Sequence, residues 1–179
     1  MRKLMLLLFC CSSLIGTAQV FKKGNIYYRI ISTGNLTVAV TKAGHTNNYS
    51  GHISIPESVI YRFRKFKVVI IDANAFNRCK RLTSVEIPNS VVEIGFRAFK
   101  GCENMYKVVL GSSVKKIWNE SFDDCNNISS VECKANVPPS CLSSFSTNAY
   151  LGTLYVPEGS KMAYSRATVW RNFCEIIER

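Results

Sequence analysis

Cysteine is the residue type in this chain best suited to do chemistry, and six cysteines follow residue 18: Cys79, Cys102, Cys125, Cys133, Cys141 and Cys174. In an exported protein, an even number of cysteines favours disulfides. The first three lie 23 residues apart, however, and side chains at one position of a repeat point the same way. That geometry is poor for bridging and favours buried, packed thiols. The last three could include one disulfide near the C-terminus, whose pairing the sequence does not define.

Histidine and carboxylate side chains do not complete a catalytic or metal site. No two cysteines have C-x-x-C spacing, and the two histidines, His45 and His52, lie far from the C-terminal cysteines. Neither a zinc site nor a cysteine–histidine nucleophile is therefore expected. Asp123 and Asp124 are adjacent on a predicted turn, so they point apart and are expected to face solvent. We predict no enzyme activity, no catalytic residue, no metal and no cofactor.

The start of the chain, up to Ala18, has the layout of a cleavable secretory signal. Arg2 and Lys3 precede the apolar run LMLLLFCCSSLI, which is too short to span a bilayer, and small residues stand at Gly16 and Ala18. Cleavage after Ala18 leaves a length that suits one domain. We expect an exported protein without a transmembrane segment, located outside the cell, in the periplasm or at the cell surface.

A period of 23 residues runs through the middle of the chain. Phenylalanine recurs at Phe76, Phe99, Phe122 and Phe145. The same step relates four further sets of apolar residues: Leu82, Met105, Ile128 and Leu151; Val85, Val108, Val131 and Leu154; Ile71, Ile94 and Ile117; and Val91, Val114 and Val137. Self-similarity of this length predicts a solenoid, in which each coil buries its apolar face against the next coil.

Each repeat predicts a short strand, a return arm and a turn. Val85 and Ile87 alternate as in a strand, Pro88 ends that strand, and Gly101 closes the later turn. The first coil contains an insertion in which Tyr61 and Phe63 precede the pair Arg64 and Lys65, while Phe66 and Val68 follow it. This alternation predicts a hairpin with an apolar inner face and a basic outer face.

The pattern divides the chain into four segments. They are a signal at residues 1–18, a β N-terminal cap at 19–52, repeats at 53–151 with the hairpin inserted near 60–68, and a C-terminal cap at 152–179. The tail sequence KMAYSRATVWRNFCEIIE predicts an amphipathic helix that closes the last coil. Both caps are expected because the end coils of a solenoid would otherwise expose apolar surface and an open sheet edge.

Three segments together resemble the BspA-like leucine-rich repeats of secreted and surface proteins from anaerobic bacteria. They are the repeat LTSVEIPNSVVEIGFRAFKGC, the front stretch IYYRI…VAVTKAG…YSGHISIPESV, and the tail ANVPPS…LYVPEGS. The resemblance covers residues 21–178. It implies an α/β but mostly β fold, a right-handed leucine-rich-repeat solenoid of about three 23-residue coils between a β N-terminal cap and a helical C-terminal cap. It also implies a Gram-negative source from the gut or mouth and a role in adhesion or protein contact.

The leading functional hypothesis is an exported, non-catalytic binding module. Its ligand would be a protein or a glycan, for example in the extracellular matrix of a host, and its oligomeric state is left open. The strand residues that alternate with the buried ones are predicted to face solvent and to contact this ligand: Ser84, Glu86, Lys107, Val109, Ser130 and Glu132.

A second hypothesis is electrostatic binding of an anionic glycan or another polyanion. The formal net charge is +11, which falls to +9 without Arg2 and Lys3. Seven basic residues stand between positions 62 and 81 against the single acidic residue Asp72: Arg62, Arg64, Lys65, Lys67, Arg78, Lys80 and Arg81. Nucleic acid is the least favoured polyanion, since no aromatic stacking motif accompanies these residues.

Overall fold

The structure is a computed structural model that describes residues 19–42 and 49–179. The predicted signal at 1–18 and the histidine at position 45 lie outside the described residues. The strands, numbered in chain order, are β1 Val20–Lys23, β2 Ile26–Ser32, β3 Thr37–Thr41, β4 Gly51–Ser54, β5 Ser58–Tyr61, β6 Arg64–Ile71, β7 Leu82–Glu86, β8 Glu93–Ile94, β9 Lys107–Leu110, β10 Lys116–Ile117, β11 Ser130–Cys133, β12 Ser140–Cys141, β13 Thr153–Val156 and β14 Glu175–Glu178. Helix α1 spans Lys161–Arg166, and 3-10 helices span Thr147–Leu151 and Trp170–Asn172.

The strands form two sheets with the core between them. One sheet has six parallel strands in the order β14-β13-β11-β9-β7-β4. The other runs β1-β2-β3-β6-β8-β10-β12, with β5 paired to β6. The short strands β8, β10 and β12 belong to the return arms of successive coils. The return arms therefore form a second parallel ladder, where the sequence predicted only one short strand in each repeat.

The phenylalanine period is confirmed as a column of stacked rings. The rings of Phe76 and Phe99 lie 4.7 Å apart at an interplanar angle of 5°. The next two steps, to Phe122 and then to Phe145, are 5.1 Å each, at 2° and 8°. Ring spacing follows strand spacing because paired strands lie about 4.8 Å apart. The ring of Tyr49 packs on the first end of the column at 4.5 Å.

The other apolar repeat positions are buried in the middle coils, but two of them are exposed in the last coil. Val85, Val108, Val131 and Leu154 are all buried. Leu151 and Val137, in contrast, are 75% and 77% exposed, against the prediction. Ile117 pairs with Cys141, one position beyond the repeat period, because the last return arm is longer by one residue. That extra residue moves Val137 out of register with Val114, and no further coil covers Leu151.

The inserted hairpin turns two residues earlier than the sequence suggested. Strands β5 and β6 pair antiparallel with Tyr61 opposite Arg64, so the turn consists of Arg62 and Phe63, not of Arg64 and Lys65. The inner face carries Val59, Tyr61 and Phe66, whereas Phe63 is fully exposed at the tip. The prediction that Phe63 belongs to the inner face is therefore wrong.

The C-terminal segment is helical only over its first six residues. Helix α1 is followed by the 3-10 turn and then by β14, which pairs parallel with β13 and so extends the six-stranded sheet. The prediction of one closing helix over this whole segment is wrong. The end of the ring column is nevertheless covered from here, since Trp170 and Phe173 pack edge-on against Phe145 at 5.7 and 5.6 Å.

Removing one ring from the column tests the contribution of the stack to stability. We expect Phe99→Ala to lower the free energy of unfolding by about 3–5 kcal/mol, because it deletes a fully buried aromatic side chain between two others. Phe63→Ala is the matched control, since Phe63 is fully exposed and its loss should cost less than about 0.5 kcal/mol. Urea unfolding followed by circular dichroism measures both. Equal effects of the two substitutions would contradict the stacked core.

Candidate binding surfaces

The outward side of the six-stranded sheet, here called the ladder face, carries two rows of side chains. Its inward residues fill the core, so the residues that alternate with them point out of the solenoid. One row is His52, Ser84, Lys107, Ser130, Thr153 and Glu175, and the other is Ser54, Glu86, Val109, Glu132, Tyr155 and Ile177. All six ligand-contact residues suggested by the sequence therefore lie side by side on one surface.

Two of those six residues are not exposed to solvent, although the prediction placed them there. Ser84 is 6% exposed and Val109 is 8% exposed. The imidazole of His52 lies over Ser84, with its Nδ1 2.8 Å from the hydroxyl oxygen. Val109 lies between Glu86 and Glu132 in its row, and the neighbouring long side chains cover its small one. Lys107 is exposed, while Glu86, Ser130 and Glu132 are half-buried.

Charged side chains pair across the ladder face. Lys134 Nζ lies 3.8 Å from a carboxylate oxygen of Glu86, two coils away. Arg179 donates to the carboxylate of Glu132, and its guanidinium stacks over the ring of Tyr155 at 4.1 Å. A small depression of about 90 Å³ lies among these groups. This end of the ladder face is therefore a charged surface with one aromatic side chain at its centre.

Several residues of the ladder face are not among those that the sequence predicts. Tyr155 stands one full period after Glu132, and the repeat therefore identifies it once it is extended by one coil. Glu175 pairs with Thr153, one position short of the period, and it belongs to a strand where a helix was predicted. No periodic signal marks Glu175 or Arg179, because β14 is not part of a repeat.

A cleft of about 830 Å³ adjoins the ladder face at β4, the strand at the N-terminal edge of this sheet. Its lining includes Lys22, Lys23 and His52 on one side and Ile60 on another. Tyr49 also lines it, and its hydroxyl donates to the carbonyl of Thr41. Burial raises the pKa of Tyr49 to about 12, so this hydroxyl stays neutral. The cationic side chains that line the cleft include those of Lys22 and Lys23, which are exposed.

The seven basic residues singled out in the sequence fall into two groups. Arg62, Arg64, Lys65 and Lys67 lie on the hairpin formed by β5 and β6. Arg78, Lys80 and Arg81 lie beyond the other end of β6, in the turn that leads to β7. Lys67 stands four residues and Arg64 seven residues before the end of β6, which places them about 13 and 23 Å from that end at the usual rise of a strand, and Arg78 follows seven residues after it. The cluster in the sequence is therefore not one patch in the structure.

The two groups also differ in their ionic partners. Lys80 lies 2.8 Å from a carboxylate oxygen of Glu103. Among the described residues, in contrast, no ion pair involves a basic side chain of the hairpin: Arg62, Arg64, Lys65 and Lys67. Arg64 donates instead to the carbonyl of Thr33. The hairpin thus presents positive charge that no acidic side chain among residues 19–42 and 49–179 neutralises.

In the turn after β10, Asp123 is half-buried and ion-paired, where the sequence predicted a solvated group, whereas its neighbour Asp124 is exposed as predicted. Lys100 Nζ lies 2.7 Å from carboxylate oxygens of both Glu120 and Asp123, and 3.7 Å from Asp124. Hydrogen bonds from Arg97 and then Lys100 lower the pKa of Glu120. These groups tie neighbouring coils together and are not arranged as an acid–base pair. Over residues 19–42 and 49–179, no three His, Cys, Asp or Glu side chains form a metal-binding group.

The cysteines of the repeat are packed thiols, as the register suggested. The Cys102 thiol donates to the carbonyl of Phe76 at 3.2 Å, and the Cys125 thiol donates to that of Phe99 at 3.1 Å. None of the six described cysteines forms a disulfide, and Cys174 is the exposed one among them. The C-terminal disulfide left open by the sequence is therefore not formed in this structure.

Burial keeps the thiols of Cys133 and Cys141 protonated. It raises the pKa of Cys141 to about 12 and that of Cys133 above its ordinary value. The hydroxyl of Tyr164 donates to the carbonyl of Ala135 and lies 3.1 Å from the Cys133 sulfur. A thiol must ionise before it attacks or binds a metal. These cysteines therefore contribute packing instead of reactivity.

Thiol labelling tests this assignment. We expect Ellman's reagent to modify one thiol rapidly in the native chain of residues 19–179, purified without reductant, because Cys174 alone among its six cysteines is exposed. Cys174→Ser should remove the fast phase, and denaturant should release all the remaining thiols. A second fast thiol, or a denatured titration that falls short by two, would contradict the packing described here.

Comparison with known proteins agrees with this fold. Residues 69–174 match the family model of the BspA type leucine-rich repeat region in six copies. No curated protein sequence matches the chain. No helix among residues 19–42 and 49–179 is both long and apolar enough to cross a bilayer.

Similar solved structures are leucine-rich repeat proteins of bacteria. One from Bacteroides capillosus shares 24% identity at a TM-score of 0.61, with 76% of this chain and 97% of that chain covered. A leucine-rich cell surface protein from Faecalibacterium prausnitzii shares 22% identity at a TM-score of 0.57, covering 92% of this chain and 44% of that one. The leucine-rich repeat protein of T. pallidum shares 20% at 0.56, with 83% and 77% covered. The family model spans more than half of the sequence, and the chain belongs to the BspA-type leucine-rich repeat family.

Proposed function

We propose that this protein is an exported, non-catalytic binding module that holds a protein partner at the cell surface through its ladder face. The observation that supports this proposal most directly is that six parallel strands hold two outward rows of side chains in fixed register. Membership of a leucine-rich repeat family supports protein binding. Surface location is supported by the signal-like first residues and by the similar fold of a cell surface protein.

The size of the ladder face limits how a partner can bind. Six strands at about 4.8 Å and four residues at about 3.3 Å give a flat area of roughly 400 Å². A stable interface buries about 800 Å² on each partner. The partner must therefore extend past the ladder face, and the cleft beside β4 continues that surface.

Tyr155 is the strongest candidate for an anchor of this interface. Tyrosine and arginine are enriched among the residues that carry most of the binding energy, and Arg179 stacks directly on the Tyr155 ring. The carboxylates of Glu86 and Glu132 flank the buried Val109 and are paired with Lys134 and Arg179, so the row presents charges of both signs around an apolar centre. A partner with complementary charged side chains around an apolar contact fits this arrangement. Adhesion to a host matrix protein is one instance of such binding.

Charge reversal on the ladder face tests the proposal. We expect the mature domain to enrich a protein from extracellular-matrix or mucosal extracts, and the double variant Glu86→Lys/Glu132→Lys to lose it. The affinity should fall at least about tenfold, because paired charges at an interface are worth several kcal/mol when one partner is reversed. Affinity for the recovered protein is measured by surface plasmon resonance.

The matched control is Glu57→Lys/Glu158→Lys, which changes the net charge equally at exposed positions outside the two rows of the ladder face. It should bind like the wild type. Failure of the wild type to enrich any protein, or equal loss in both double variants, would refute recognition by the ladder face.

Binding of a polyanion, such as an anionic glycan, is the second candidate function. The observation in its favour is the group of four basic hairpin residues without an ionic partner among the described residues. Binding of this kind weakens steeply with added salt, which distinguishes it from recognition by the ladder face.

A further inference from the structure

We propose that the tip of the hairpin docks onto an anionic lipid surface, with Phe63 inserted among the lipids and the basic residues around it bound to the headgroups. This inference rests on the second candidate function and names the class of polyanion. It is independent of the ladder face, which lies on the other sheet.

The tip exposes apolar surface that nothing in the described chain covers. Phe63 is fully exposed, and Ile60 is 61% exposed on the outer face of β5. An aromatic side chain in this state leaves at least about 150 Å² of apolar surface in water. Its burial elsewhere is favourable by about 25 cal/mol per Å², which corresponds to at least a hundredfold gain in affinity if the whole side chain is covered.

The turn holds this phenylalanine in a backbone conformation that disfavours it. Arg62 and Phe63 have φ angles of 47° and 60°, the signature of the tight hairpin turn in which both central residues are left-handed. Asparagine and glycine adopt this conformation readily, whereas a bulky side chain there is an outlier. Local folding would therefore favour Asn-Gly at the tip, and the presence of Phe63 points to a role outside the fold.

Basic side chains lie next to the tip, on the outer face of the hairpin and at its turn. Lys65 and Lys67 lie on the outer face, opposite Ile60 and Ser58. The guanidinium of Arg62 lies 5.3 Å from the ring centroid of Tyr61, which holds it beside the turn. An apolar tip with cationic side chains beside it is typical of a segment that lies at the interface of an anionic bilayer.

The hairpin is a stiff arm. Tyr61 stacks on Phe21 at 4.0 Å and 16°, and Val59, Phe66 and Val68 are buried. Strand β6 then continues into the second sheet, where it pairs with both β3 and β8. Insertion of the tip therefore requires little ordering of the backbone, which avoids a large entropic cost of binding.

A lipid surface explains the tip better than a soluble glycan does. A glycan or nucleic acid neutralises the cations, but it offers a protruding side chain no apolar layer in which to be buried. The cleft beside β4 includes Ile60 in its lining but none of residues 61–67, so the tip is convex. A convex apolar tip fits a deformable layer, and the phosphate groups of anionic lipids complement the basic side chains beside the tip.

Vesicle sedimentation with the chain of residues 19–179 tests this proposal. The probes are phosphatidylcholine vesicles, vesicles with added phosphatidylglycerol, and heparin as a soluble polyanion. We expect the protein to bind the vesicles that contain phosphatidylglycerol and not the vesicles of phosphatidylcholine alone. Lys65→Glu/Lys67→Glu should reduce it by at least about 25-fold, because each cation near an anionic surface contributes about fivefold. Added salt should weaken it steeply.

Phe63→Asn separates lipid insertion from charge. Asparagine suits the left-handed turn, so this variant should fold at least as well as the wild type, yet bind anionic vesicles at least about tenfold more weakly. Its heparin binding should be unchanged. Phe63→Trp should retain binding to anionic vesicles. The fluorescence emission of the introduced tryptophan should shift to shorter wavelength with anionic vesicles but not with heparin. Arg78→Glu/Arg81→Glu, the same charge change in the other basic group, should bind as the wild type does.

The outcomes separate the two levels of the proposal. Binding to heparin without binding to vesicles, or vesicle binding that Phe63→Asn leaves intact, would overturn lipid insertion and leave the polyanion function standing. Binding to neither probe would overturn both. Equal losses in Lys65→Glu/Lys67→Glu and Arg78→Glu/Arg81→Glu would show attraction by the overall net charge and would also reject the hairpin as the site.

Discussion

Stacking of equivalent side chains between neighbouring coils is the interaction on which the rest of this structure depends. Strands pair at about 4.8 Å, so residues one period apart meet at that distance, and the phenylalanine rings settle 4.7–5.1 Å apart. No coil can bury its own ring. Each is stable only between two neighbours, and the column must therefore end in covers that are not repeats: Tyr49 at the start, and Trp170 with Phe173 at the end.

This constraint separates the parts of the molecule that hold it together from the parts that can bind. Inward residues, thiols included, are committed to the core, and the ion pairs of Lys100 join the turns of adjacent coils. Two surfaces remain available. The ladder face presents paired charges around Tyr155 on a sheet fixed by its backbone hydrogen bonds. The hairpin lies outside the stack, so its sequence is free of the period and can carry exposed residues such as Phe63.

The repeat could be predicted from the sequence because one geometric step recurs, and the same step identifies Phe99 and Phe122 as neighbours. The sequence predicted wrongly where the repeat is interrupted or ends, and where side chains of neighbouring coils decide whether a repeat position is exposed. The hairpin turn was placed at Arg64 because apolar alternation does not reveal a turn built from arginine and phenylalanine. Strand β14 was assigned to a helix because its residues follow helical spacing, whereas pairing with β13 decides their structure. The solvent exposure of Val109 depends on side chains of three coils, which alternation within one strand cannot show.

A double-mutant cycle on the ring column is the most direct test of this account. Leucine substitutions at Phe99 and Phe122, singly and together, should show a coupling of about 0.5–1.5 kcal/mol in the free energy of unfolding, as stacked aromatic pairs do. The pair Phe76 and Phe145, separated by two intervening rings, should be additive to within about 0.5 kcal/mol. Additive effects at Phe99 and Phe122, or equal coupling in both pairs, would contradict a core built from contacts between adjacent coils.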